Sequence, residues 1–154
     1  MSDDGFAPTG KVVPKGEVFR IGSMGVGTIL FGPMVAGYML YRNHKIFGQD
    51  DMAKKAVFAS VLVLAVLMPA AILVPGENTL AFFRLTPILY TVGAIWWMER
   101  FQKHDIEQHI ENGGKQAGVL KILAAWGLGL AGAVIMAIAV SAILLAAGLV
   151  AMPL

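Results

Sequence analysis

The sequence predicts an all-α polytopic membrane protein, with four transmembrane helices in an antiparallel bundle. Three observations predict it. Residues 122–154 form a run of 33 residues without a charge. The 154-residue chain is 57% hydrophobic and 14% charged, against roughly 45–50% apolar and about 25% charged in an average soluble domain. The apolar residues also gather in four runs, each close to or beyond the ~20 residues a helix needs to cross a bilayer. The length suits one domain, and a soluble domain of this size could not cover so much apolar surface.

Residues 1–20 are polar and carry Pro8, Pro14, Gly5, Gly10 and Gly16, so an irregular tail is expected there. Met1 is followed by Ser2, Asp3 and Asp4 rather than by a basic segment and a short apolar one. No cleaved leader is expected, and the first apolar run serves as its own insertion signal. The single membrane domain is then residues 21–154.

The first span is expected over 21–41, which carries no charge. Gly25, Thr28, Gly32 and Ala36 put small residues three and four apart along one helix face, which lets a second backbone approach closely. Pro33 removes a backbone hydrogen bond and bends the helix. A kinked span is the expected outcome, and a broken or re-entrant segment the alternative. Residues 42–55 read as a polar loop and 56–74 as the second span, with Pro69 near its far end. Val74-Pro75-Gly76-Glu77-Asn78 reads as a tight turn.

The third span is expected over 80–98. It contains Arg84, near enough to one end to snorkel to the headgroups and to pair with Glu77. Trp96 and Trp97 mark the opposite interface, where amphipathic rings settle. Residues 99–111 continue as a polar helix, and Asn112-Gly113-Gly114 stops it. The fourth span is expected over 120–152. Along it Ala125, Gly129, Ala133, Ala137 and Ser141 recur every fourth position. Such a row winds around the helix and suits a partner crossing at an angle. The Thr28-Gly32-Ala36 row is its natural match, within the chain or in a second copy.

Lys and Arg counts set the expected orientation. With four full spans, the loops 42–55 and 99–120 share one side and, with Lys121 next to the second loop, carry eight basic residues. The other side holds four: Lys11, Lys15, Arg20 and Arg84. Both loops are therefore expected in the cytoplasm and both termini in the periplasm. A re-entrant first segment would move the N-terminus to the loop side.

Candidates for chemistry are sparse. The chain has no cysteine, which removes disulfides, thiolate metal sites and thiol nucleophiles. The net charge of +2, with scattered basic residues, points away from nucleic acid. No expected span contains a histidine, so an axial haem ligand inside the bilayer has no candidate. His104, Asp105, Glu107, His109 and Glu111 fall at helical spacings. They lack the paired Glu-x-x-His elements of a di-metal bundle, and a solvated helix end is the plainer reading. His44 stands alone in the first loop. The methionines form no tight pair within a span and read as gap fillers. Gly22, Gly25 and Gly27 follow no strand and precede no Gly-Lys-Ser/Thr, so they are not a phosphate loop. No catalytic, metal-binding or cofactor-binding residue is assigned.

The run Gly32-Pro33-Met34-Val35-Ala36-Gly37-Tyr38-Met39-Leu40-Tyr41-Arg42-Asn43, with the later Gln102 and Gly113-Gly114-Lys115, resembles stretches of small bacterial membrane proteins with about four spans. The resemblance covers about a quarter of the chain. It implies a bacterial inner-membrane protein and implies no activity. The expected function is non-enzymatic: an accessory or scaffold subunit of a larger membrane complex, or a homo-oligomer, acting by helix packing. Its partners would be the lipid bilayer and other membrane subunits or copies of itself. The alternative is a small homo-oligomeric channel or transporter with the broken first helix lining the path. An enzyme acting on lipid through the His104–His109 segment has the least support.

Overall fold

Gly32 divides the first apolar run in two. In the computed structural model, which describes residues 14–74 and 76–148, helix α1 covers Ile21–Phe31 and helix α2 covers Pro33–Ile46. Gly32 lies between them at φ +91°, a conformation that glycine adopts without a Cβ penalty. Pro33 then opens α2, where its missing N–H costs nothing. The tail residues 1–13, Pro75 of the expected turn and the end of the fourth span beyond Gly148 lie outside the described residues.

The two helices double back on each other. The Phe19 N–H donates to Asn43 Oδ1 at 2.9 Å, and Asn43 Nδ2 donates to the Phe19 carbonyl at 2.9 Å. A continuous helix would hold these residues roughly 36 Å apart at ~1.5 Å per residue. Gly16 likewise lies against the Ile46 side chain. Residues 21–46 are therefore a helical hairpin with its apex at Gly32–Pro33. Its arms of 11 and 14 residues are too short for the ~30 Å hydrocarbon core. The continuous first span expected over 21–41 is not formed, because the glycine conformation and the proline together end one helix and start another.

Three helices are long and apolar enough to cross a membrane. Helix α3 covers Asp50–Leu73 and helix α4 covers Gly76–Phe101. After the short helix α5, Lys103–Glu111, comes helix α6, Val119–Ala146. Pro69 and Pro87 lie inside α3 and α4. The expected loop over 42–55 shrinks to three residues between α2 and α3. Gly48 turns it at φ +70°, and Asp50 and Asp51 open α3, where carboxylates favour the positive helix end. Glycine also ends α5, at Gly113 with φ +84°, as the Asn112-Gly113-Gly114 sequence predicts.

Two short strands tie the ends together. Strand β1, Glu17–Val18, pairs in parallel with strand β2, Lys115–Gln116. The ladder continues through the Ala117 N–H to the Val18 carbonyl at 2.9 Å. A Glu17–Lys121 ion pair of 2.9 Å lies beside it. The apolar centre is built around the hairpin, with Met24, Val35, Met39 and Met98 fully buried. By contrast α4 and α6 present Leu89, Ile135 and Ile138 outward at 65–71% exposure. In a bilayer these side chains face lipid or another protein rather than water.

Candidate functional site: the polar end of the hairpin and the helix-packing rows

Six buried or half-buried polar side chains converge where the hairpin arms end. Asn43 and His44 occupy the last turn of α2 and are fully buried, and Gln102, between α4 and α5, is 1% exposed. Asn43 Nδ2 donates its second hydrogen to Gln102 Oε1 at 3.2 Å, and Gln102 Nε2 donates to the Leu40 carbonyl at 2.9 Å. β1, α2 and the end of α4 are thereby joined by two amides with few unused lone pairs or protons. Buried polar groups of this kind are stabilising only when satisfied.

A second chain of bonds starts at Trp97 of α4. Its indole Nε1 donates to His44 Nε2 at 3.3 Å. Indole is a donor only, so His44 Nε2 accepts and its proton sits on Nδ1. Nδ1 then donates to Gln49 Oε1 at 2.6 Å, and Gln49 Nε2 donates to Asp105 Oδ2 at 2.8 Å. The relay Trp97–His44–Gln49–Asp105 runs from α4 through α2 and the start of α3 to α5. Burial is the largest influence on His44 and pushes its imidazole below the usual range, against a smaller upward pull from the Gln49 bond and the Asp105 charge. His44 is thus a neutral structural histidine whose two ring nitrogens are both occupied.

The polar cluster weighed on α5 is dispersed. His104, Glu107 and Glu111 are exposed, Asp105 turns to Gln49, and His109 is buried. His109 packs edge-on to Phe47 at 6.1 Å and against Gly114. Neither of its ring nitrogens meets a partner among the described residues. No group of three potential metal ligands forms among those residues. Arg20, Lys103, Glu107 and Glu111 line an open cleft of about 470 Å³ between the start of α1 and α5. Its mixed charge selects no particular ion.

The packing rows are placed as follows. Gly25 faces Ile95 of α4, 3.5 Å from where a Cβ would stand. Thr28 is fully buried and returns its hydroxyl to the Met24 carbonyl at 2.7 Å. Gly32 forms the apex, and Ala36 is buried against α3 and α4. On α6, Ala125 and Gly129 are buried. A Cβ at Gly129 would stand 2.7 Å from the Val35 Cα, and one at Gly27 would collide with the Trp126 indole. Ala133 lines a cavity with Gly32 and Pro33. Ala137 is half-buried and Ser141 exposed. The α6 row therefore meets the hairpin as far as its apex and then runs beyond it.

Among the interface residues, Arg84 and Trp96 are exposed. Arg84 forms no ion pair with Glu77 among the described residues. Trp97 turns inward to His44, a role that sequence spacing does not separate from that of Trp96. The sequence places Asn43 and Gln49 in a polar loop and Gln102 on a polar helix, and marks none of the three as a site residue. Asn43 and Gln102 lie in helical register with Leu40 and Met98, a signal that Gln49, in the turn before α3, does not carry. No protein-family model matches this chain, and neither the curated proteins nor the solved structures give a match.

Proposed function

We propose that this is a non-enzymatic membrane protein that acts by helix packing, as an accessory or scaffold subunit of a larger complex in a bacterial inner membrane or as a homo-oligomer. The α6 row carries this reading. Ala125 and Gly129 are spent on the hairpin, whereas Ala137 and Ser141 continue the same row past the apex. In lipid, small residues favour helix association through close backbone approach, so this upper part of α6 suits a neighbouring helix. The buried polar groups around Asn43 and His44 support the reading as well, because they are committed to holding the hairpin. Photo-cross-linking from position 141 in native membranes tests it. The expected product is a discrete adduct with another membrane subunit or a second copy. Recovery of only uncross-linked monomer, together with a monodisperse monomer in mild detergent, would refute it.

The hairpin also revises the expected sidedness. It brings residues 14–20 to the end of the bundle that carries the α2–α3 turn, α5 and β2. Arg84 is the only Lys or Arg between residues 56 and 99, and none follows Lys121. The positive-inside rule then puts that end, with the N-terminal segment, in the cytoplasm and the end of α6 on the periplasmic side.

One observation favours a channel or transporter as the second reading. The Gly32–Pro33 apex lines a cavity of about 250 Å³ between α3, α4 and α6, and irregular backbone at membrane depth belongs against protein or a wet path. The only side chains with polar atoms on that cavity are Thr86 and Tyr90, which is why this reading ranks second. Flux into liposomes at the protein-free level would eliminate it.

A further inference from the structure

Helices α3 and α4 splay around a long slot whose floor is the hairpin. Two cavities of about 410 and 250 Å³ lie end to end in it and share Pro33 and Tyr90. One wall runs from Ala56 to Ala71 on α3, the other from Phe82 to Trp97 on α4. Each wall is ~22 Å long at ~1.5 Å per residue. Pro33, Ala36 and Leu40 form the floor at the Trp97 end. The surface is almost wholly apolar, with Ser60, Thr86 and Tyr90 as the polar exceptions.

We propose that this slot holds one acyl chain of an anionic phospholipid, with the phosphate at the Trp97 end. A helix ~10–12 Å across and as long as these walls would fill roughly 1,700 Å³, far more than the two cavities of about 410 and 250 Å³ hold, so the slot does not seat a helix. A single extended hydrocarbon chain has the required length and width. Charge complementarity selects the headgroup and its direction. One turn outward from Ala59 on α3 is Lys55, and one turn outward from Trp97 on α4 is Arg100. Both are exposed, and neither has an ion pair among the described residues. The acidic residues of α3, Asp50 and Asp51, lie a turn farther from the hydrocarbon, and Asp50 is already paired with Lys45 at 2.7 Å. Glu99 lies on the α4 face that Ile95 turns to α1. At the opposite end the slot closes among Met68, Phe82 and Phe83, where Arg84 is the single basic residue nearby, against both Lys55 and Arg100 at the Trp97 end.

Gly93 lines the slot, and a Cβ there would meet nothing within 4 Å. Gly93→Leu therefore places its side chain into the slot from a position with room for the Cβ. Gly127 is equally open but lines no cavity described above, so Gly127→Leu is the matched control. The test is native mass spectrometry of the full, delipidated chain titrated with phosphatidylglycerol or phosphatidylcholine. Wild type and Gly127→Leu should bind one phosphatidylglycerol in preference to phosphatidylcholine. Gly93→Leu should reduce that occupancy about fivefold or more, and Lys55→Gln with Arg100→Gln should abolish the headgroup preference while leaving chain binding. Undiminished binding in Gly93→Leu, or an equal loss in Gly127→Leu, overturns the proposal. So does displacement of the lipid by tailless glycerol phosphate, which would locate the affinity in the headgroup alone. A co-purifying isoprenoid that Gly93→Leu expels, with phosphatidylglycerol binding unchanged, overturns the acyl-chain assignment.

Discussion

The Asn43 amide lies across the backbone of Phe19, 24 positions earlier, accepting its N–H and donating to its carbonyl, both at 2.9 Å. This pair closes the α1–α2 hairpin. It gives the last backbone groups before α1 a partner that no helix turn supplies. Asn43→Leu leaves the buried Phe19 N–H and carbonyl and the Gln102 Oε1 without it. Each orphaned group costs about 1–3 kcal/mol, so a loss of at least about 3 kcal/mol is expected from the three together. Unfolding in mixed micelles measures it. A change of under about 0.5 kcal/mol, the range of ordinary surface substitutions, would mean that the hairpin closes without Asn43.

Gly129 makes the α2–α6 crossing close enough for backbone contact. Its position would put a Cβ 2.7–2.8 Å from the Val35 Cα and N, and backbone cannot move aside as a flexible side chain does. Gly129→Ala should cost about 1–3 kcal/mol through overpacking. Gly127→Ala, two residues away in open space, should be neutral or stabilising by about 0.5–1 kcal/mol. Unfolding of both variants under the same conditions decides the matter, and equal effects would place the contact elsewhere on α6.

The long spans were legible because they depend on a one-dimensional property. Residues 120–152 lack charge after Lys121, and helix α6 follows. The hairpin was less legible. Gly32-Pro33 reads equally as a kink or as a chain reversal, because the local residues set only that the helix stops. The direction of α2 is decided by Asn43 reaching Phe19 and by Gly129 meeting Val35, both contacts between residues distant in sequence. The polar site was hidden for a related reason. Asn43, His44, Gln49 and Gln102 have loop-like composition, and only tertiary packing shows that they are buried and mutually bonded.

The hairpin predicts a labelling pattern that the absence of native cysteine makes simple to read. Single cysteines at positions 16, 48 and 113 should react from one side of sealed inverted vesicles, and one at position 77 from the other. A first segment that crossed fully would instead put position 16 with position 77. Positions 48 and 113 flank α3 and α5 in either arrangement, so they serve as internal references.

Stability should fall in mild acid because of the Trp97–His44–Gln49–Asp105 relay. In the folded chain, burial holds the His44 imidazole below its ordinary value of 6.5. The neutral ring accepts from Trp97 through Nε2, and a proton placed there would face the indole N–H and break that bond. The unfolded chain binds the proton more readily, so acid favours unfolding. The contribution of His44 is complete above about pH 6.5 and is lost as pH falls from there toward and through the lower folded value. His44→Gln keeps a neutral donor and acceptor at this position without a titrating ring. Its melting temperature in detergent should vary less than that of wild type between about pH 7.5 and 5. Parallel pH profiles would show that His44 does not titrate with unfolding, and the relay would then be a purely structural tie.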